Sequence, residues 1–275
     1  MYKVFVNIVT LLGFIISVSA QEKIEVMRYE FEMTMPSVNK EADNKEVSLK
    51  TETVYLDILG SESRCTSEGN IRKEEELLIF SKEPKDRSLA MDRLQVLNKY
   101  RSSVKWTVYK SKTELNTYDS SGFDIYKVGE STNLIKWDIS SEVEEYNDMK
   151  VQKAVGELSG RIWTVWFTQD IPLIDGPYKF KNLPGFVVKA EDGTGDYKLE
   201  FLKSEKVTTS YWLTERNAKA MAVDKKQWNK IRNTNANKNA NQILGERGIT
   251  LKSKEDTSER LTKKLGKEDK PIEFY

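Results

Sequence analysis

From Arg161 to Ala190 the chain reads R-I-W-T-V-W-F-T-Q-D-I-P-L-I-D-G-P-Y-K-F-K-N-L-P-G-F-V-V-K-A, and this stretch decides the fold. It holds three of the six prolines, Pro172, Pro177 and Pro184, amid a dense aromatic cluster. Proline fixes φ and removes a backbone donor, so three in one segment specify a single irregular path. Asn182 tolerates the left-handed conformation better than most residues, so a bend is expected there. Pro184-Gly185 reads as the centre of a type II turn, with Gly185 at positive φ. Before the irregular part, period-two alternation puts Trp163, Val165 and Phe167 on one strand face and Ile162, Thr164 and Trp166 on the other. After it, Phe186, Val187 and Val188 open another strand. The same alternation predicts that Lys179 and Lys181, interleaved with Tyr178 and Phe180, face water.

Outward from this stretch the pattern is mostly strand. Met27, Tyr29, Phe31, Met33 and Met35 alternate with polar residues, the mark of a half-buried strand. Val47–Leu59 repeats it with Val54, Leu56 and Ile58, and a polar strand follows Gly60-Ser61 through Cys65. The connection 36–46 is polar and reads as a loop. Residues 70–98 break the period, with Leu77, Leu78 and Phe80, then Leu89, Met91, Leu94, Val96 and Leu97 suggesting one or two short helices interrupted by Pro84. Strands resume at Val104–Ser111, Glu114–Tyr118, Phe123–Val128 and Asn133–Ile139, at the spacing of an antiparallel meander. The turn Tyr146-Asn147-Asp148 then leads into Lys150–Gly156. Asp192-Gly193-Thr194-Gly195-Asp196 lacks the ligand spacing of an EF-hand and reads as a hairpin turn between strands 186–190 and 197–203. Thr214 is placed to cap a helix whose apolar positions are Ala218, Met221, Ala222 and Trp228, with the stem of Lys225.

The fold class expected is therefore mainly β (β-rich α+β). It is a large curved antiparallel sheet or half-barrel, with one or two short helices inserted around 70–98 and a C-terminal helix. Along the chain this gives a signal peptide over 1–20, a β-rich domain over 21–213, a packed helix over 214–232 and a basic, largely flexible tail over 233–275. The tail reading rests on the Lys/Arg excess of 214–270 and the asparagine-rich run 233–241. Met1–Ala20 has Lys3 as its positive start, a largely apolar run and a small-residue cleavage site, Val18-Ser19-Ala20, before Gln21. Its run is shorter than the roughly 20 apolar residues that cross a bilayer. Export with cleavage between Ala20 and Gln21 is expected, leaving no transmembrane segment in the mature chain.

Composition narrows the chemistry. Lysine and arginine number 44 against 43 aspartates and glutamates, a balance that gives no argument for a nucleic-acid partner. The chain has no histidine, which removes Ser-His-Asp and Cys-His catalysis and histidine-ligated metal. The lone cysteine, Cys65, forms no internal disulfide and reads as a small buried residue. Chemistry by carboxylates, lysine or oxygen-ligated calcium survives, and Asp170, Asp175 and Arg161 are the candidates for a carboxylate-based site beside the irregular segment. The sequence assigns no catalytic residue, no cofactor and no metal-ligand set.

The segment resembles the signature of the GLPGLI family, secreted proteins of Bacteroidetes-type bacteria with no biochemical activity assigned. The similarity is carried by Gly160-Arg161, Trp166-Phe167-Thr168, Ile171-Pro172, Gly176-Pro177-Tyr178-Lys179-Phe180 and Leu183-Pro184-Gly185. Ile135-Lys136-Trp137-Asp138-Ile139, Lys153-Ala154 and the closing Pro271-Ile272-Glu273-Phe274 are similar to further family elements. Asn182 replaces a glycine, Phe186-Val187 replaces Leu-Ile, and Val151 stands where many members carry a cysteine that would partner Cys65. Arg161, Trp163, Trp166, Phe167, Ile171, Pro172, Gly176, Pro177, Tyr178, Lys179, Phe180, Leu183, Pro184 and Gly185 make a signature loop, structural or binding. The resemblance implies an exported envelope protein and names no reaction. Three readings stay open: a non-enzymatic module for an apolar or amphipathic ligand or an outer-membrane partner, a carboxylate-based hydrolase, and a purely structural assembly protein. The abundant aromatic residues either fill the inside of the sheet or line an apolar cavity there.

Overall fold

The computed structural model describes residues 23–38, 47–81, 92, 95–248 and 270–273. The signal-peptide reading, much of the loop 36–46, the region around Pro84 and 249–269 lie outside the described residues. The strands are β1 (Ile24–Val38), β2 (Val47–Leu59), β3 (Glu62–Ser67), β4 (Thr107–Lys110), β5 (Glu114–Ser121) and β6 (Asp124–Ser131), then β7 (Asp138–Tyr146), β8 (Met149–Leu158), β9 (Arg161–Thr168), β10 (Phe186–Asp192), β11 (Lys198–Thr209) and β12 (Met221–Val223). The helices with both ends among the described residues are α1 (Glu68–Ser81), α2 (Glu215–Ala218), α3 (Lys225–Ala236) and α4 (Ala240–Gly245), and residues 95–99 are helical as well. The strands form one sheet in the order β12-β6-β5-β4-β3-β2-β1-β11-β10-β9-β8-β7. Two antiparallel meanders, β1 to β6 and β7 to β11, meet where β1 pairs with β11, placing Phe31 opposite Phe201. The parallel pairing of β12 with β6 makes the sheet mixed rather than wholly antiparallel.

Alternation works as expected through the centre of the sheet. Tyr29, Phe31, Met33 and Met35 are buried, and β2 sets Val54 opposite Phe31 and Leu56 opposite Tyr29. Trp163, Val165 and Phe167 are buried, while Ile162 on the other face is 51% exposed. The irregular segment between β9 and β10 lies over the core face and fills it. Its Tyr178, Phe180 and Leu183 are buried, with the Tyr178 ring 4.7 Å from Trp106 and Phe180 4.9 Å from Trp163. Of the two fates open to the aromatic residues, these take the first.

Three elements differ from expectation. The strand read at Asn133–Ile139 begins at Asp138. Ile135 and Trp137 instead pack over Gly156, where a Cβ would lie 2.5 Å from Ile135 Cγ2 and 2.8 Å from Trp137 Cε3. The single helix read over 214–232 is α2, then β12, then α3. Thr214 does cap α2, accepting from the Asn217 amide at 3.0 Å, but Met221–Val223 is drawn out as an edge strand on β6. Asp224 then starts α3 with a reciprocal capping box to Gln227 and buries Trp228. Finally, the region read as a loose tail includes α4, and its end returns to the body of the protein, where Glu273 is 1% exposed. The turn before β8 is as expected, with Asn147 and Asp148 at φ 49° and 61°, the pair of left-handed residues that a tight hairpin requires.

Candidate functional site

Three clusters of buried charge surround the signature loop. The first is built from strand register. Ser63 on β3 stands opposite Lys110 on β4, both on the core face, where alternation would otherwise put apolar residues. Lys110 is 2% exposed, and its Nζ lies 2.5 Å from Asp175 Oδ1 and also donates to the Gly176 carbonyl. Ser63 Oγ donates to Asp175 Oδ2 at 2.8 Å, Lys181 Nζ lies 3.1 Å from the same oxygen, and the Gly176 amide donates to Oδ1 at 2.7 Å. Burial alone would raise the Asp175 carboxyl pKa. The charges of Lys110 and Lys181 and the hydrogen bonds outweigh it and hold the group below its ordinary value.

A folded-state pKa below the unfolded one contributes stability above the unfolded value and loses it as pH falls through the folded one. The unfolded aspartate titrates at about 3.9. Urea midpoints measured from pH 7 downward should therefore hold to about pH 5 and drop below pH 4, more steeply than in Asp175→Asn. Equal acid dependence in the two proteins would show that Asp175 carries none of it.

In the second cluster Lys179, 3% exposed, lies 2.5 Å from Glu130 Oε2 on β6 and 2.5 Å from Glu273 Oε1 near the chain end. Tyr178 Oη donates to the same Glu273 oxygen at 2.6 Å, and Lys225 Nζ stands 3.4 Å from Glu130 and 3.9 Å from Glu273. This overturns the expectation that Lys179 faces water, and Lys181 too is largely covered. Tyr178 adopts φ 53°, so the segment is no strand and alternation across it fails. Burial would lower the Lys179 pKa, but the charges of Glu273 and Glu130 outweigh it and raise it above its ordinary value.

The third cluster ties β9 to the β10–β11 turn. Arg161 lies 2.5 Å from Asp192 and 3.5 Å from Asp196, donates to Thr194 Oγ1 at 2.9 Å and to the Pro271 carbonyl at 2.8 Å, and sits 4.9 Å from the Tyr197 ring centre. Lys270 adds a 2.6 Å contact to Asp196. Asp192 and Asp196 thus hold a guanidinium, within the hairpin turn expected there.

The carboxylate candidates therefore part company. Arg161 and Asp175 belong to different clusters, and Asp170 is exposed, accepting from the Lys150 amide at 3.0 Å. Trp166 faces outward, its ring 4.3 Å from Lys189 Nζ and its Nε1 donating to Glu144. Ile171 packs partly buried against the core. Asn182 is left-handed at φ 64°, as expected, whereas Gly185 has no positive φ and the type II reading fails. Its role is close approach: a Cβ there would lie 2.3 Å from the Thr168 carbonyl oxygen. Gly176 is similar, with a would-be Cβ 2.7 Å from Val187 Cβ. Glu273 is marked in the sequence only as part of the closing Pro271-Ile272-Glu273-Phe274 element, and the residues that sequence reasoning missed outright are Ser63, Lys110 and Glu130. Their one local signal is a polar residue in core phase, Lys110 two after Val108 and Glu130 two after Val128.

Cys65 is fully buried and its Sγ accepts from the Tyr178 amide at 3.1 Å. Burial pushes its pKa up to about 12, so the thiol stays protonated. A thiol reagent should label it only after denaturation; labelling of native protein at the rate of a free thiol would contradict this placement.

No protein-family model matches the chain, and no curated protein matches it. Among solved structures it is similar to PNGF-II in a C2 crystal form, with 14% identity and a TM-score of 0.48 over 76% of this chain and 32% of that one. The P21 form gives the same identity and score over 84% and 38%. The chain thus spans about a third of those structures, and a likeness at this level carries no functional argument.

Proposed function

We propose that this chain is an exported, non-enzymatic module of the cell envelope that docks to an outer-membrane partner or an amphipathic ligand. One observation carries the reading: the buried charges of the signature loop, Asp175 and Lys179, are engaged in holding the loop against β3, β4, β6 and the chain end. They serve as internal struts. Tyr178, Phe180 and Leu183 occupy the space a carrier would give to an apolar ligand, which favours docking at the surface over enclosure. Support for a surface comes from Val155 and Ile162, diagonal neighbours on β8 and β9 that are 38% and 51% exposed, beside Trp166. Isolated exposed apolar residues are ordinary; a group of them on one sheet face is a candidate contact.

Native mass spectrometry of the protein purified from its own envelope fraction tests this. A co-purifying species lost on Ile162→Glu, with the unfolding midpoint unchanged, is the expected result. A turnover activity abolished by Asp175→Asn in a protein of unchanged midpoint would overturn it. N-terminal sequencing of the same material should begin at Gln21, and an intact Met1 would remove the export part of the reading.

A further inference from the structure

The face of the sheet opposite the signature loop carries a different charge arrangement. Register puts Asp57 opposite Arg28 on one side and Arg64 on the other, with Tyr109 beyond it. Asp57 is fully buried and accepts from Arg28 at 2.7 and 2.9 Å and from Arg64 at 2.6 Å. One carboxylate thus serves two guanidiniums. Arg64, 1% exposed, spends its other terminal nitrogen on the Tyr211 and Trp212 carbonyls at 2.9 and 3.0 Å. Its Nε is buried and meets no acceptor among the described residues.

Beside Arg64 opens a cavity of about 90 Å³ between α1, β4, β5 and α2. Four cations line it, Arg64, Lys73, Lys105 and Arg216, against two carboxylates, Glu74 and Asp119. Glu74 stands 3.9 Å from Arg216, and Asp119 accepts from the Ser120 amide at 2.7 Å. Lys73 is half-buried, and its ammonium donates to Asn70 Oδ1 at 2.9 Å, a neutral acceptor. Burial pushes its pKa down, and the charge of Glu74, opposed by that of Arg216, does not make up the difference. Cations gathered around a polar hollow, one of them desolvated on a neutral partner, are what an anion completes.

We propose that this cavity binds a small oxyanion, a phosphate or sulfate or the acid group of a larger molecule, with Lys73 and Arg216 as its charged partners. The volume suits a tetrahedral oxyanion or a carboxylate, so the body of any larger ligand would lie outside, over Lys105 and Asn217. A bound anion supplies Lys73 with the opposite charge that Asn70 lacks and relieves its repulsion from Arg216. The inference stands apart from the docking surface, since four strands separate β3 from β9 in the sheet.

Isothermal titration of the purified protein with phosphate, sulfate and acetate, at ionic strength fixed with chloride, tests it. Saturable one-to-one binding of at least one of these anions is expected. Lys73→Gln and Arg216→Gln should each weaken it about tenfold or more, as loss of a charge-assisted hydrogen bond implies. Lys219→Gln, at an exposed surface pair with Glu215, should leave it unchanged. Because Lys73→Gln removes a poorly compensated buried charge, its unfolding midpoint in anion-free buffer should equal or exceed that of the parent, which separates lost binding from lost fold. Binding of phosphate and sulfate without acetate identifies a tetrahedral oxyanion, and binding of acetate alone identifies a carboxylate ligand. No binding above the chloride control, or undiminished binding to Lys73→Gln, overturns the site while leaving the docking reading intact.

Discussion

Lys179→Met is expected to cost about 3–5 kcal/mol, the penalty for removing one partner of a buried ion pair. Methionine keeps most of the side-chain volume, so the loss is electrostatic rather than a cavity. Glu130 and Glu273, 7% and 1% exposed at the side chain, would then lose the ammonium between them, leaving Lys225 at 3.4 and 3.9 Å to offset them in part. Adding Glu130→Gln should recover part of the loss, giving a favourable coupling in a double-mutant cycle. A loss within about 0.5 kcal/mol, the range of ordinary surface sites, would mean that Lys179 faces water after all.

Gly185→Ala is expected to cost about 3 kcal/mol, at the upper end of overpacking changes, and Gly185→Val more. The obstacle is main chain: the new Cβ would lie 2.3 Å from the Thr168 oxygen and 2.8 Å from its carbonyl carbon. Thr168 is in turn paired with Phe186 and Val151, so it cannot withdraw without parting β9 from both neighbours. Gly60 gives the control. It has φ +59° with open space where a Cβ would stand, so Gly60→Ala meets only backbone strain of roughly 1 kcal/mol. Urea unfolding of the two variants should rank Gly185→Ala as the worse. The reverse order would show that the Thr168 main chain does not crowd Gly185.

Much of the sheet was legible because period-two burial is a local property. Phe31 and Val165 announce their faces through their neighbours two residues away, and Asn147-Asp148 announces a hairpin. The capping of α2 by Thr214 was equally local, and so, in hindsight, was the Asp224-x-x-Gln227 start of α3. The charge clusters were not legible, since a lysine in core phase looks like any other lysine until its partner is known. Lys110 finds Asp175 and Lys179 finds Glu273, pairings that depend on how the whole segment crosses the sheet. Lys179 shows the limit most clearly. Alternation predicted exposure, and one left-handed residue, Tyr178, cancelled the rule that made the prediction. The aromatic content of the segment marked it as buried, while the choice between scaffold and site depended on those unseen partners.

The junction of β1 with β11 carries a consequence for how the chain reaches its fold. β1 and β2 are consecutive and joined through one connection, so one flank of β1 can be covered early. The other flank waits for β11, and Phe31 cannot meet Phe201 until a further 170 residues have been made. Until then a fifteen-residue strand rich in methionine and aromatic side chains offers an unsatisfied row of amides and carbonyls to any passing strand. Contacts of such long sequence separation close slowly and leave partly folded chains open to aggregation. Assembly should therefore finish at the middle of the sheet rather than at its rims, with β1 acting as the waiting template on which the second meander docks.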